Sequence, residues 1–374
     1  MKIAFVHDWL TTYAGAETVL EAALELFPGA PVYTLLYRPE AFQNTRISEH
    51  PVTTSFIERL PKSQTGYRNY LALMPLAVEQ FDLGESEVVF SSSHAVAKGV
   101  LTRADQLHIS YIHTPIRYAW DLYFQYLKTS NLERGLKSWL ARLVLHYLRL
   151  WDAASAHRVD LYVANSRYVA RRIAKVYRRK ARVIYPPVDV DRFRPKIQRE
   201  DCYLTVSRFV PYKRVDLIVQ AFSELGRPLV VIGDGPERPK IERLAAPNVR
   251  LLGYQPDAVV KDYMERCKAF VFAAEEDFGI TPVEAQAAGA PVIAYGKGGV
   301  VETVLPGRTG ILFHEQTVPA LKQAVKDFEA QKDRFSIEAL RENALRFSKP
   351  RFQREVQELI DRAWQAFQKN EMLE

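Results

Sequence analysis

The sequence predicts an α/β protein built from two doubly wound domains. Short apolar runs recur along the chain, each ending in small or polar residues and followed by a helical stretch, as strands buried on both faces of a parallel sheet do. The 374 residues suffice for two core-bearing domains. Near the middle, Pro186-Pro187-Val188-Asp189-Val190-Asp191-Arg192-Phe193 interrupts the alternation, as successive prolines and aspartates should. These observations predict a first domain over residues 1–190, a second over 196–346 and a terminal segment over 347–374.

The opening MKIAFVHDWL is broken by His7 and Asp8 too early for a signal-peptide core and is expected to be the first strand, residues 3–6. No apolar run approaches the roughly 18 residues of a membrane span. A helix is expected from Tyr13 to Phe27, opened by Tyr13-Ala14-Gly15-Ala16-Glu17. In a doubly wound sheet ligands bind beyond the carboxyl ends of strands, so this loop is expected to face a ligand. Further strands are predicted at 32–36, 88–90, 107–112, 161–164 and 182–185. Residues 55–82 are irregular, helical and rich in aromatics, and core packing explains their apolar side chains. His113 follows the 107–112 strand and is placed either to bond a sugar hydroxyl or to act as a satisfied polar residue. Asn165-Ser166 suits a helix N-cap.

Beyond Pro195, strands at 203–206, 228–232, 249–252, 269–272 and 291–294 alternate with helices, which implies a parallel sheet. Arg208 and Lys213 fall after the first of these, where an arginine fork and a lysine point charge can neutralise a diphosphate. Gly233-Asp234-Gly235-Pro236 makes a tight turn but lacks the dinucleotide fingerprint. Gly253-Tyr254 ends the next strand. The strand at 269–272 leads through Glu275, Glu276 and Asp277 to Phe278-Gly279-Ile280-Thr281, with a helix expected to begin at Pro282. The amides of Phe278, Gly279, Ile280 and Thr281 would then lie at a helix N-terminus, which favours a phosphate. Glu276 and Glu284 would stand on either side of it and accept hydrogen bonds from hydroxyls. From Thr317 the chain reads as helical, with a break at residues 347–352.

The spacing of Glu276 and Glu284 is common by chance, but the longer string is not. Glu276-x-Phe278-Gly279, Glu284-Ala285, Gly289-x-Pro291-Val292-Ile293 and Gly298-Gly299-x-x-Glu302, with the Pro186-Pro187-Val188-Asp189-x-x-x-Phe193 segment, resemble the retaining nucleotide-sugar glycosyltransferases of family 4. That resemblance implies the GT-B fold: two Rossmann-like domains facing a central cleft, the first holding the acceptor in part through residues 55–82, and the terminal helix crossing back to the first. It implies that Gly15 meets the donor diphosphate, although Ala14 replaces the glycine usual there. It places Arg208 and Lys213 on the diphosphate, Gly233 and Tyr254 near the nucleotide, Glu276 on the donor sugar and Glu284 on the ribose. The strings VHDWL and HTPIRYAWD resemble the bacterial GDP-mannose-dependent mannosyltransferases of polysaccharide assembly. The implied reaction moves a hexose, mannose from GDP-mannose foremost, onto a glycan or lipid-linked acceptor, with Glu276, Arg208, Lys213 and His113 as the catalytic set. A UDP-sugar transferase, a nucleotide-sugar epimerase and a non-catalytic sugar-nucleotide binder are the alternatives, and Glu276 as a covalent nucleophile is a minor variant. No cofactor is expected, and no metal, because no Asp-x-Asp pair is read near the cleft.

The charge balance is +7, with eight basic residues and no acid between Arg167 and Arg182. Before it, residues 132–150 mix Arg134, Lys137, Arg142 and Arg149 with Trp139 and leucines. Such stretches suit either a solvated helix face or peripheral contact with an anionic membrane. Nucleic acid is not expected, since no recognition motif accompanies the charge. Cys202 and Cys267 lack metal spacing and are expected to be buried thiols in the cytoplasm.

Overall fold

The computed structural model describes residues 1–371. Among them the chain divides into two compact units, Met1–Pro187 joined by the residues from Phe352 on, and Val188–Arg351. No helix among the described residues is long and apolar enough to cross a membrane.

Unit 1 holds a parallel sheet of seven strands: β1 (Ile3–His7), β2 (Val32–Thr34), β3 (Val52–Thr54), β4 (Val88–Ser93), β5 (Leu107–Ile112), β6 (Leu161–Ala164) and β7 (Arg182–Val183). Their order is β3-β2-β1-β4-β5-β6-β7. The central strands β1, β4 and β5 are buried at every position, which is why they read as apolar or small-residue runs apart from His7 and His108. Phe5, Phe90, Leu107 and Ile109 form one core with Phe352, Val356, Leu359 and Ile360 of the last helix, Lys349–Gln368. In residues 55–82, Ile57, Met74, Ala77, Val78 and Phe81 pack under β1 and β4. Core packing therefore accounts for most of the apolar side chains there.

Unit 2 holds β8 (Tyr203–Val206), β9 (Leu229–Ile232), β10 (Val249–Gly253), β11 (Ala269–Phe272), β12 (Val292–Tyr295) and β13 (Gly310–Phe313). All pair in parallel, in the order β10-β9-β8-β11-β12-β13. Renumbered within the unit this is 3-2-1-4-5-6, the doubly wound order. Each sheet therefore reverses its winding between its first and fourth strands. Within unit 1 the loops leaving β1 and β4 are brought side by side, and within unit 2 those leaving β8 and β11.

Several local expectations are corrected. The helix after β11 is Ile280–Ala287 with Gly279 as its N-cap, so Pro282 is its third residue and not its first. Proline is tolerated there because first-turn amides have no intrahelical acceptor in any case. The expected break at 347–352 is shorter: one helix ends at Leu345, the next begins at Lys349, and Pro350 lies in its first turn. Strands β3 and β13 were not anticipated; β3 is a three-residue edge strand without a fully buried position. Cys267 is buried, and burial pushes its thiol up to about 12, but Cys202 is only half-buried.

Candidate active site

The first group of candidate residues gathers at the switch point of unit 2. After β8 the chain passes Arg208, which is exposed, into the short turn Pro211–Lys213. After β11 it passes Glu275, Glu276 and Asp277 into the helix Ile280–Ala287. Because β8 and β11 are hydrogen-bonded neighbours, the Lys213 ammonium meets the Glu276 carboxylate in a direct ion pair. The sequence alone sets the two on different parts of a ligand. Their contact makes each the other's counter-ion, and a phosphate would compete with Glu276 for the ammonium.

The loop carrying Glu276 is held from the far side by glycines. Gly299 donates its amide to the Glu276 carbonyl at 2.7 Å, and Glu276 and Gly298 form an isolated parallel bridge. Gly298 has φ +84°, and a Cβ there would stand 2.3 Å from the Glu276 carbonyl oxygen; a Cβ on Gly299 would stand 2.3 Å from that of Asp277. Gly298→Ala is therefore expected to push the Glu276 loop out of place and to lower the calorimetric melting temperature of unit 2 well below that of Gly307→Ala. Gly307 also has positive φ (+75°), but a Cβ there would meet nothing within 4 Å, so its substitution costs only the backbone strain of roughly 1–2 kcal/mol. Equal melting shifts would mean that the loop yields freely.

Phe278 is buried against Phe347, with ring centroids 5.4 Å apart. It thereby anchors the turn from which Gly279 starts the helix. The amides of Gly279, Ile280 and Thr281 belong to the end of that helix, where the geometry supplies no intrahelical acceptor and the dipole is positive. Gly233 packs so closely on the β8 loop that a Cβ would fall 1.8 Å from the Ser207 carbonyl oxygen. Tyr254, just after β10, is 80% exposed.

Glu284, expected on the ribose, is held here by a protein partner. Its carboxylate accepts from Arg192 Nη2 at 2.9 Å, and the same guanidinium makes a two-oxygen contact with Asp257 at 2.8 and 2.9 Å. Burial raises the Glu284 carboxyl above its usual range, against the opposing pull of Arg192. Arg192 was missed because it belongs to the interrupting segment, where no periodicity marks a partner. The same segment contains Asp189-Val190-Asp191, an Asp-x-Asp spacing; both aspartates are exposed, and Asp191 lies 3.9 Å from Arg341. Among the described residues no group of three or more His, Cys, Asp or Glu side chains is arranged to hold a metal ion.

In unit 1, Gly15 is the first residue of the helix Gly15–Leu24, whose Ala14 amide donates to Glu17 at 3.0 Å. Here too the loops after the first and fourth strands meet. Asp8, wholly buried, accepts the backbone amides of His94, Ala95, Val96 and Ala97 at 2.6–2.9 Å. Ser92 Oγ lies 3.1 Å from His7 Nδ1 and 2.8 Å from His113 Nε2. The Glu17 carboxylate, 3.5 Å from His7 Nε2, favours a proton on that nitrogen. His7 Nδ1 then accepts the Ser92 hydroxyl proton, Ser92 Oγ accepts from His113 Nε2, and His113 Nδ1 is left as an acceptor for a hydroxyl. Burial, reinforced by His94 and His7, holds His113 neutral far below the usual histidine range. Asp8, Glu17 and Ser92 were not singled out from the sequence, although all lie in or beside strand-end loops.

His108, on β5, is likewise kept neutral by burial, its imidazole lowered to about 4. The unfolded chain takes up a proton near 6.5 while the folded one does not. The resulting stability is complete above pH 6.5 and is lost as the pH falls through about 4. For His108 alone the loss is roughly 3 kcal/mol. His94 and His113 act in the same direction. All five tryptophans, Trp9, Trp120, Trp139, Trp151 and Trp364, lie in unit 1, so urea unfolding followed by their fluorescence reads this unit alone. Its midpoint is expected to fall between pH 7 and 4.5; a flat profile would contradict burial of the neutral imidazoles.

Two doubly wound parallel sheets in one chain, each with polar loops at its switch point, are the fold of the GT-B glycosyltransferases. Solved structures of that kind align over nearly the whole chain. HepE of Anabaena, crystallised with UDP and glucose, matches with a TM-score of 0.69 at 18% identity, covering 96% of this chain and 99% of that one. Sucrose-phosphate synthase of Thermosynechococcus elongatus matches with a TM-score of 0.72 at 16% identity, covering 97% and 100%. The family model for Glycosyltransferase Family 4 matches residues 15–192, and that for Glycosyl transferases group 1 matches residues 188–346. The chain thus belongs to the family 4 type of GT-B glycosyltransferases. Relatives include an uncharacterized glycosyltransferase of Methanocaldococcus jannaschii, 30% identical over 51% of this chain and 55% of that protein. Another is the GDP-mannose-dependent alpha-(1-6)-phosphatidylinositol monomannoside mannosyltransferase of Mycobacterium tuberculosis, 30% identical over 47% of this chain and 54% of that protein. A D-inositol 3-phosphate glycosyltransferase of Nocardia farcinica is 30% identical over 49% and 48%. The chain spans about half the length of the curated relatives it matches.

Proposed function

We propose that the protein is a retaining hexosyltransferase that takes its sugar from a nucleotide-sugar, GDP-mannose being the first candidate, and passes it to a glycan or lipid-linked acceptor in the cytoplasm. The observation that carries this reading is the Lys213–Glu276 pair at the unit 2 switch point, beside a helix N-terminus opened by Gly279. A diphosphate at that end would draw Lys213 and the exposed Arg208 to its oxygens and leave Glu276 to accept from the sugar hydroxyls. Glu284, with Arg192, would bind at the nucleoside side. In unit 1, His113, with Nδ1 as an acceptor, would hold a hydroxyl of the acceptor.

In the reaction the anomeric C–O bond to phosphate breaks and a C–O bond to the acceptor forms on the same face of the sugar. The acceptor proton passes to the leaving phosphate oxygen. Negative charge accumulates on the diphosphate, where preplaced cations and amides stabilise it. In this reading Arg208 and Lys213 supply the positive charge without a divalent ion. Loss of activity in chelator and its return with magnesium would contradict that part.

The mannosyltransferase relative supports GDP-mannose, while HepE with UDP and glucose keeps a UDP-sugar as the second reading. A thermal-shift panel of GDP, UDP and ADP with their sugars separates them, since stabilisation grows with ligand concentration over its Kd. Incubation of the stabilising sugar with acceptor glycans should then yield product with the anomeric configuration of the donor by NMR. An inverted product would refute retention. Release of an epimer without acceptor, or binding with no turnover, would refute transfer.

A further inference from the structure

The helix Leu136–Ser155 packs on unit 1 with its polarity inverted. Its inward positions include Ser138, Asp152 and Ser155 besides Leu145 and Leu148. Its outward positions are Leu136, Trp139, Leu140, Leu143, Tyr147 and Leu150, each between 44% and 81% exposed. At 100° per residue these six fall on one stripe about 100° wide along a helix of roughly 30 Å. Scattered exposed leucines are ordinary; a continuous stripe of six large apolar side chains marks an interaction surface.

The stripe cannot turn inward, because polar contacts fix the helix about its axis. Asp152 pairs with the buried Lys98 ammonium at 3.0 Å and accepts from Trp120 Nε1 at 2.7 Å. One turn earlier, Arg149 donates to the Ala119 carbonyl at 3.0 Å. The charge around the stripe is mainly positive: from Arg134 to Trp151 there are four basic residues and no acidic one, with the exposed Glu133 just before them, and Arg134, just before the helix, and Lys137, in its first turn, are both exposed. A second copy docking through the same face would set these cationic flanks against each other, since a two-fold interface repeats one patch on both sides. An anionic surface with an apolar layer beneath it matches both features. Tryptophan and tyrosine among leucines suit the boundary between headgroups and acyl chains.

We propose that this helix docks in the headgroup region of an anionic lipid bilayer, its leucines and Trp139 entering the acyl boundary and Arg134 and Lys137 meeting lipid phosphates. The neighbouring basic helix Arg167–Tyr177 contributes less than its composition suggests. Its Arg172 is buried against Asp121 and Thr114, and Arg179, just past its end, donates to the Val159 and Asp160 carbonyls. The proposal does not depend on the transfer reading and is tested without donor or acceptor.

The full chain is sedimented with phosphatidylcholine vesicles that contain or lack phosphatidylglycerol. Binding is expected on the anionic vesicles, to weaken by roughly fivefold for each of Arg134→Gln and Lys137→Gln, and to fade as salt approaches about 1 M. Leu140→Gln with Leu143→Gln should reduce partition at least about tenfold while leaving the melting temperature unchanged, since both side chains are exposed. The Trp139 emission should shift to the blue on binding, a change absent from Trp139→Phe. The proposal is overturned if the wild-type chain stays in the supernatant with anionic vesicles, or if the double leucine variant binds as well as wild type. It is equally overturned if the stripe proves to seat a second copy, seen as a concentration-dependent dimer that the same two substitutions disperse.

Discussion

Glu276→Ala is expected to lower kcat/KM for sugar transfer by about 10²–10³-fold, the loss typical of removing one preplaced electrostatic contact from a transition state. Its backbone is held by Gly298 and Gly299 independently of the side chain, so the variant should melt with the wild type. Lys213→Ala should fall by a similar factor. Because the two side chains touch, the double variant should lose much less than the product of the single losses. Glu275→Ala is the control: Glu275 is adjacent but pairs outward with Lys297 at 3.1 Å, and it should retain activity within about threefold. Glu276→Ala retaining full turnover, or single effects that multiply, would remove the ion pair from the chemistry.

How much of this was legible in the sequence depends on the range over which each feature is encoded. The turn from β11 through Glu276 to Gly279 is local: a buried run ends, a glycine follows, and a helix begins, all within a dozen residues. The contact between Lys213 and Glu276 is not local, because it exists only once β8 and β11 are neighbours, and strand order has no local signature. Glu284 shows the same limit from the other side. Its position on the helix could be read, but its partner Arg192 comes from a segment whose sequence says only that regular structure stops. Edge strands such as Val52–Thr54 escaped because a half-exposed three-residue strand has no apolar run to find. The helix Leu136–Ser155 was legible as a basic, aromatic-rich helix, but not which of its faces turns inward. Periodicity announces two faces, and the usual assumption sends the apolar one inward; here Ser138, Asp152 and Ser155 take the inside.

That inversion rests on the buried pair of Lys98 and Asp152, which yields the second large effect. Lys98 is 1% exposed and Asp152 wholly buried. The ammonium donates to the Asp152 carbonyl at 2.8 Å and to Ser155 Oγ at 2.7 Å, while the Asp152 carboxylate also accepts from Tyr177 at 3.1 Å. Burial lowers the Lys98 ammonium from its ordinary value, so its charge is tolerated only through these partners. Lys98→Ala or Asp152→Ala leaves the other charge buried and uncompensated, at a cost of about 3–5 kcal/mol in unit 1. Lys98→Met with Asp152→Leu should recover most of that loss, because an apolar pair removes both desolvation costs together. Urea unfolding read by tryptophan fluorescence measures all the variants on the same unit. A Lys98→Met single variant as stable as the double would mean that Asp152 is satisfied by Trp120 and Tyr177 alone. In that case the lysine would not be what holds Ser138 and Asp152 inward and the leucines outward, and the helix would be oriented by its aromatic neighbours.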